Sequence, residues 1–144
     1  MKTEDMLIGA LLRVPAQVIQ RRLIKELNAA GFDELRLPHM AVLQFPGPDK
    51  VRPVTLAERA GMSKQAINQL LKSLEGFGYI TRSDVRGESG ARLVYFTERG
   101  HAVFSRMVDV LRDIEREWSA ELGPERFAQL KALLFLVWDS PLAR

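Results

Sequence analysis

The stretch Thr55–Leu74, TLAERAGMSKQAINQLLKSL, decides the fold of this chain. It contains two short runs with helical spacing of apolar residues, separated at Gly61. A glycine there supplies the left-handed backbone that a sharp turn between helices needs. Thr55, followed three residues later by Glu58, has the pattern of a capping box and predicts that the first helix starts at Thr55. Ser63 is the predicted N-cap of the second helix.

The second helical run has two chemically different faces. Its apolar residues recur at intervals of three and four, as one stripe of an amphipathic helix does, and they are Ala66, Ile67, Leu70, Leu71 and Leu74. Its outward residues carry amide and ammonium groups, and they are Lys64, Gln65, Asn68, Gln69 and Lys72. Amides can bond to base edges in the major groove of DNA, and lysines suit phosphates. The pattern predicts a DNA-reading helix-turn-helix, with an ordinary helical hairpin as the alternative.

Positive charge is concentrated around this motif. The whole chain carries a formal net charge of +3. Between residues 52 and 99, eight basic residues stand against five acidic ones, so the surplus of this segment equals that of the whole chain. A positive surface releases counterions when it meets a polyanion, which supports the interpretation as a DNA-binding motif.

The segment before the motif is predicted to be a long helix. Apolar residues recur at helical spacing over residues 4–30, and Gly31 ends the pattern. Pro15 interrupts the run, because proline lacks the backbone donor and clashes with the preceding turn. The sequence therefore predicts either a kink between Leu11 and Pro15 or two abutting helices.

A short helix and a loop are predicted between the long helix and the motif. Pro38 suits the first turn of a helix, and the apolar residues of this short helix extend to Phe45. The prolines of residues 46–53 indicate a loop. The segment Val51–Val54 is expected to add a short edge strand before the helix-turn-helix.

A β-hairpin is predicted directly after the second motif helix. The segment Tyr79–Thr81 begins a β-prone run, and residues 92–97, RLVYFT, form a second one. A hairpin beside a reading helix is typical of the wing of a winged helix, whose basic residues can meet phosphate or the minor groove. A plain surface hairpin is the alternative. The candidate wing contacts are Arg82, Arg86 and Arg92.

Two further helices are predicted at the C-terminal end. Thr97 is expected to cap a helix over residues 98–122, and a last helix is expected over 124–139. The first has an apolar seam, and the second contains LLFLVW, which is apolar on every side. Burial on all sides indicates a second subunit, with a monomeric core helix as the alternative. The candidate dimer-interface residues are Leu7, Leu11, Met107, Leu111, Ile114, Trp118, Leu134 and Trp138.

Several classes of protein are excluded or disfavoured by what the sequence lacks. The chain has no cysteine, which excludes a disulfide framework, a thiolate metal site and a cysteine redox switch. Its longest apolar run is too short to cross a bilayer and its start is polar, so we predict a cytoplasmic protein without a membrane partner. No catalytic residues, cofactor site or metal-ligand spacing stand out, so the sequence does not predict an enzyme.

The order of these elements and their motifs resemble a known family. The run LAERAGMSKQAINQLLKSLEGFGYITR, residues 56–82, followed by LVYFTERG, residues 93–100, is similar to the multiple-antibiotic-resistance regulator (MarR) family of bacterial and archaeal transcription factors. The resemblance implies one mainly α domain over residues 1–144. In it, residues 51–97 form a winged helix-turn-helix, and residues 4–45 and 98–142 form dimerisation helices.

The resemblance also implies a function. Family members are homodimers that place their second motif helices in successive major grooves of a palindrome in double-stranded DNA, about 34 Å apart. Many release DNA when a small, often phenolic or anionic, effector enters a crevice beside the dimerisation helices. We therefore predict a repressor with no cofactor, and His39 is a candidate effector contact because it lies where that crevice would be. The implied DNA contacts are Ser63, Lys64, Gln65, Asn68, Gln69 and Lys72.

The predicted wing departs from the family pattern. Members often carry an aspartate, any residue and then an arginine near the tip, where this chain has Glu88-Ser89-Gly90. Arg86 or Arg92 could take the place of the missing arginine, so the minor-groove contact stays open. Three other functions stay open as well: a winged-helix module for protein contact, a non-specific architectural DNA binder, and an enzyme with an unrecognised site.

Overall fold

The fold is mainly helical, with one small antiparallel sheet. The computed structural model describes residues 1–86 and 92–141, and for residues 84–86 it describes the backbone alone. The helices are α1 (Ile8–Ala29), α2 (Met40–Leu43), α3 (Pro53–Ala60), α4 (Lys64–Gly76), α5 (Glu98–Leu122) and α6 (Pro124–Trp138). The strands are β1 (Ile80–Arg86) and β2 (Arg92–Phe96). This order confirms the predicted mainly α fold with a hairpin wing.

The chain divides into two compact units, Met1–Val108 and Asp109–Arg144. The first unit holds α1 to α4, both strands and the first part of α5, so the helix-turn-helix and its wing belong to one unit. The second unit holds the rest of α5 and α6. In the described ranges, none of the helices is long and apolar enough to span a membrane.

The long N-terminal helix is continuous but starts later than predicted. A 3-10 turn occupies Thr3–Asp5, and α1 begins only at Ile8 because the backbone of Leu7 is extended. Pro15 lies inside α1, so the prediction of two abutting helices is wrong. A proline removes one hydrogen bond of the ladder, and the bonds on either side keep the helix intact. Gly31, with a φ of 101°, follows the end of the helix as predicted.

The segment between α1 and the motif differs in two details from the prediction. A 3-10 turn at Leu37–His39 runs directly into α2, and Pro38 lies in its first turn as predicted. The short helix ends before Phe45, whose side chain is 65% exposed. The predicted edge strand is reduced to a single bridge between Val51 and Val94, because α3 starts two residues after that bridge.

The first helix of the motif begins two residues earlier than predicted. Arg52 is its N-cap with an extended backbone, and Pro53 is its first helical residue. The fixed φ of proline suits this position, and the residue before a proline disfavours helical geometry. Thr55 therefore lies inside the first turn, so the predicted capping box of Thr55 and Glu58 is wrong.

The turn between the motif helices is as predicted. Gly61 adopts left-handed geometry, with φ 63° and ψ 33°. The amide of Met62 donates to the carbonyl oxygen of Ala57 at 3.0 Å and closes the turn. Five apolar side chains of the two helices are buried at 5% exposure or less, and burial of a large one stabilises the fold by about 1.5–3 kcal/mol. They are Leu56, Ala57, Ile67, Leu71 and Leu74.

The predicted hairpin is present beside the motif. β1 and β2 pair antiparallel, with Ile80 opposite Phe96 and Arg82 opposite Val94. The register is irregular between Arg82 and Arg86. The predicted wing tip, including Glu88-Ser89-Gly90, lies outside the described residues.

The long helix α5 begins at a hydrogen-bonded corner. The hydroxyl of Thr97 accepts from the amide of Gly100 at 3.1 Å, which confirms the predicted cap. The same hydroxyl donates to the carbonyl oxygen of Gly78 at 2.5 Å, and the amide of Thr97 donates to the carbonyl oxygen of Tyr79 at 3.1 Å. These bonds tie the start of α5 to the turn that follows α4.

In the first unit, the candidate dimer residues differ in exposure. Leu7 is 81% exposed and Leu11 is 38% exposed, at the beginning of α1. Met107 on α5 is only 1% exposed. Because it is already buried within one chain, Met107 has almost no surface left to offer to a second copy, whereas the start of α1 is free to do so.

In the second unit, α6 exposes the apolar run that the sequence predicted to be buried by a partner. The side chains of Leu133–Trp138 are between 41% and 70% exposed. On α5, Leu111 and Trp118 are half-buried, and Ile114 is buried at 5% exposure. Ile114, like Met107, therefore contributes little to any surface that a second copy could cover.

Candidate nucleic-acid interface

The second motif helix presents a polar face that begins at a capped N-terminus. The hydroxyl of Ser63 accepts from the amide of Ala66 at 3.1 Å, as predicted. The cap satisfies one of the free amides of the first turn and fixes where α4 begins. The exposed side chains on this helix include Lys64, Gln65, Gln69 and Lys72, and Asn68 is half-buried. The face thus combines amide groups with positive charge, which suits bases and phosphates.

Two of the predicted DNA contacts bind each other. Arg82 Nη1 on β1 donates to Asn68 Oδ1 on α4 at 3.3 Å. Arg82 is half-buried, and its Nε is a buried atom that has no hydrogen-bond partner among the described residues. Sequence reasoning treated the two side chains as independent contacts. In the structure they are hydrogen-bonded to each other, so the wing strand β1 is linked directly to the reading helix α4.

The other wing arginines differ from Arg82. The side chain of Arg92 is exposed and folds along the hairpin, with Nε donating to the carbonyl oxygen of Ser83 at 2.5 Å and Nη2 to that of Arg82 at 3.3 Å. The side chain of Arg86 lies outside the described residues. The described residues therefore include the base of the wing but not its tip. The minor-groove contact stays a prediction.

A three-residue polar cluster supports the C-terminal end of α4. Arg99 Nη1 donates to the carbonyl oxygen of Phe77, the C-cap of α4, at 2.7 Å. Arg99 Nη2 lies 3.0 Å and 3.1 Å from the two carboxylate oxygens of Glu34. The phenol of Tyr79 donates to Glu34 at 2.6 Å, and the guanidinium of Arg99 lies over the ring of Tyr79. The cluster links the loop before α2, the end of α4 and the start of α5.

The cluster shifts the titration of its members. The hydrogen bond from Tyr79, followed by backbone hydrogen bonding and the guanidinium of Arg99, lowers the pKa of the Glu34 carboxyl to about 2. Burial and the bond to Glu34 raise the pKa of the Tyr79 phenol above its ordinary value. Glu34 is therefore a carboxylate, and Tyr79 a neutral donor, throughout the physiological pH range.

A cleft of about 420 Å³ lies beside the motif in the first unit. The lining side chains come from α1, from residues 37–44 and from both motif helices. Its polar side chains are Gln20, Gln44, Arg59 and Gln69, and Met40, Met62 and Leu70 supply apolar surface. One guanidinium nitrogen of Arg59 donates to the carbonyl oxygen of Gly47 at 3.1 Å. A cation beside apolar walls suits a small molecule with an anionic group and a ring.

His39 has a structural role. Its ring is buried, Nδ1 accepts from the amide of Arg36 at 2.9 Å, and Nε2 lies 3.1 Å from the hydroxyl of Ser73 on α4. Burial, followed by the charge of Arg36, lowers the pKa of the imidazole. His39 is not one of the described residues that line the cleft. Sequence reasoning missed Arg59 instead, because a cation at the end of an exposed helix is an unremarkable pattern.

Comparison with known proteins finds similar transcriptional regulators. No protein-family model matches the sequence. The chain is 25% identical over 130 residues to the HTH-type transcriptional regulator PecS of Dickeya dadantii. The aligned residues cover 90% of this chain and 78% of PecS. The chain is also 25% identical to the MarR-family protein Rv2887 of Mycobacterium tuberculosis in complex with salicylic acid, with a TM-score of 0.67 over 94% of this chain and 99% of that one. The chain is thus similar to MarR-family regulators in sequence and in fold.

Other MarR-family structures share the fold. The reduced form of MarR from E. coli is 21% identical, with a TM-score of 0.72 over 92% of this chain and 96% of that chain. A structure of Rv2887 with DNA is 24% identical, with a TM-score of 0.65 over 92% of this chain and 98% of that chain. These similarities support a DNA-binding transcriptional regulator, and the matched relatives are regulators rather than enzymes.

Proposed function

We propose that this MarR-family chain is a homodimeric repressor. In this proposal it binds a palindromic operator and leaves it when a small anionic aromatic molecule binds. The observation that carries the proposal is the outer face of α4. Its exposed side chains include Lys64, Gln65, Gln69 and Lys72. Amides that read bases and ammonium groups that bind phosphates lie on one helix of the size that fits a major groove.

Exposed apolar surface in both units supports the homodimer. In the first unit, the start of α1 exposes Leu7 and Leu11, and in the second unit α6 exposes Leu134 and Trp138. Large apolar side chains in continuous exposed runs indicate an interface with another protein. A second copy of this chain is the proposed partner, with residues 4–45 and 98–142 as the dimerisation segments. Two-fold symmetry then requires a palindromic site with half-sites about 34 Å apart.

The cleft supports regulation by a small molecule. Rv2887 has been determined with salicylic acid, a carboxylate on an aromatic ring. The cleft in this chain offers Arg59 for a carboxylate and the side chains of Met40 and Leu70 for a ring. Gln69 and Leu70 of α4 line it, so a bound molecule touches the reading helix itself. Such an effector binds the DNA-free arrangement of the protein more tightly than the DNA-bound one. The affinity for DNA falls by the ratio of these two effector affinities and by no more than that.

The proposal is tested by fluorescence anisotropy across a salt series. The purified protein is titrated against the DNA upstream of its own gene and against a scrambled duplex of equal length. We expect the upstream duplex to bind at least about a thousandfold more tightly, with a steep salt slope, and salicylate to weaken that binding. Equal, weak binding to both duplexes would favour an architectural or protein-contact module instead.

A further inference from the structure

The hydrogen bond between Asn68 and Arg82 restricts what Asn68 can recognise. Arg82 Nη1 lies 3.3 Å from Asn68 Oδ1. A guanidinium carries hydrogen-bond donors and no acceptor, so the atom of the amide that faces it must be the oxygen. The opposite orientation would set two donors against each other. The chemistry of the pair therefore fixes the orientation of the amide.

The remaining polar atom of Asn68 is a donor. In the described part of the chain, its Nδ2 makes no hydrogen bond and is not among the buried atoms that lack a partner. Asparagine normally recognises adenine with both ends of its amide, by accepting from N6 and donating to N7. The bond from Arg82 uses one of the two lone pairs of Oδ1 and turns that oxygen towards the wing strand, which disfavours the acceptor half of that contact. Guanine offers two acceptors at its major-groove edge, O6 and N7, which suit an NH₂ group.

The backbone that carries Arg82 is well fixed. Arg82 lies opposite Val94 in the paired part of the hairpin, before the irregular register begins. Its carbonyl oxygen accepts from Arg92 Nη2 at 3.3 Å. Val94 in turn accepts from the amide of Lys50 at 2.7 Å and donates to the carbonyl oxygen of Val51 at 3.0 Å. Arg82 therefore approaches α4 from an anchored strand rather than from the wing tip.

We propose that Arg82 is a positioning residue for base recognition. It holds Asn68 as a donor, so that the base pair facing Asn68 is read as guanine in preference to adenine. This inference rests on the proposed DNA contact of α4, and it adds a specificity that the wing strand imposes on the reading helix.

The inference is tested by selection of binding sites from a random duplex pool. Four proteins are compared: the wild type, Asn68→Ala, Arg82→Met and Arg52→Met. The position of the selected site that loses its preference in Asn68→Ala is the one that Asn68 reads. Methionine keeps much of the arginine stem but removes its donors. Arg52→Met is the matched control, because it removes an exposed guanidinium that is not among the proposed DNA contacts.

The expected results differ between the variants at that position. The wild type and Arg52→Met prefer guanine over adenine by about tenfold, within the range of one good base contact. In Arg82→Met the freed oxygen accepts from N6 of adenine, so adenine becomes equal to or better than guanine. If Arg82→Met does not fold by circular dichroism, the wild-type preference decides, since adenine or no preference there contradicts the inference.

Other outcomes overturn the inference without touching the proposed function. If Arg82→Met weakens binding to all sequences, lowers the salt slope by about one and keeps the same base preference, Arg82 is a phosphate contact. If Asn68→Ala selects the wild-type site unchanged, Asn68 reads no base. If the wild type itself selects no site, the proposed sequence-specific regulator fails.

Discussion

The carbonyl oxygen of Tyr79 lies only 2.0 Å from the place where a β-carbon on residue 100 would stand. The ring of Phe96 also approaches that place, to 2.6 Å. Gly100 therefore allows α5 to start in contact with the backbone of the turn between α4 and β1. This contact explains why a glycine stands at the end of the run Thr97–Gly100, TERG.

Replacement of Gly100 by alanine is expected to destabilise the protein by about 2–4 kcal/mol, because a backbone atom must move to admit the methyl group. The measurement is urea unfolding followed by circular dichroism. Gly76→Ala is the matched control, since a β-carbon at this helical position meets nothing within 4 Å. A Gly100→Ala protein as stable as Gly76→Ala would contradict the close approach.

The carboxylate of Glu34 is expected to make stability depend on pH in the acid range. Its pKa is lowered from 4.5 to about 2 in the folded protein. A lowered pKa means that the stabilisation is fully present above the unfolded value, and is lost as the pH falls from about 5 towards 2. The difference in unfolding free energy between wild type and Glu34→Gln should therefore shrink between pH 6 and pH 3.

Urea unfolding at the two pH values measures this difference. Glu58→Gln, at an exposed position on α3, is the control and should show a small difference at both pH values. A Tyr79→Phe variant should raise the pKa of Glu34, because it removes the largest cause of the shift. A gap between wild type and Glu34→Gln that stays constant with pH would exclude the titration of Glu34.

A charge in the apolar run of α6 is expected to separate the proposed dimer. Leu134→Glu places a carboxylate on the surface that a second copy would cover, and an unpaired charge in an interface is strongly unfavourable. Light scattering after gel filtration should give twice the chain mass of 16.3 kDa for the wild type and a lower mass for the variant. Val54→Glu, at an exposed apolar position on α3, should keep the wild-type mass. A wild-type monomer would contradict the proposal.

Removal of the cation from the cleft is expected to weaken effector binding. Arg59→Gln should reduce the affinity for salicylate about tenfold or more, as loss of a charged hydrogen bond does. Isothermal titration calorimetry with the DNA-free protein measures the change. Arg52→Gln is the matched control, because Arg52 is exposed nearby and does not line the cleft. Equal salicylate affinity for both variants would show that the ligand binds elsewhere.

Sequence patterns correctly predicted several features of the fold that depend on residues close together in the sequence. The cap at Ser63, the turn at Gly61 and the hairpin after Gly78 each follow from local chemistry. The start of α3 was predicted at Thr55, where a capping pattern competes with a proline two residues earlier. The proline prevailed because its φ is fixed before folding, whereas a side-chain cap must still form.

The contacts that position the reading helix could not be predicted in the same way. Glu34 and Arg99 are 65 residues apart, and Asn68 and Arg82 are 14 residues apart across a turn. No periodicity or spacing rule connects such pairs, since their meeting depends on how whole elements pack. The cleft around Arg59 is of the same kind, because its walls come from segments that are distant in sequence.

Recognition of bases by α4 is the central claim, and the salt dependence of two variants tests it most directly. Wild type, Gln65→Ala and Lys72→Ala are titrated against the upstream duplex and the scrambled duplex at several salt concentrations. Gln65→Ala should lose about 1–3 kcal/mol on the upstream duplex alone, with an unchanged salt slope. Lys72→Ala should weaken both complexes and lower the slope by about one. An equal loss on both duplexes for Gln65→Ala would contradict base reading at this position of α4.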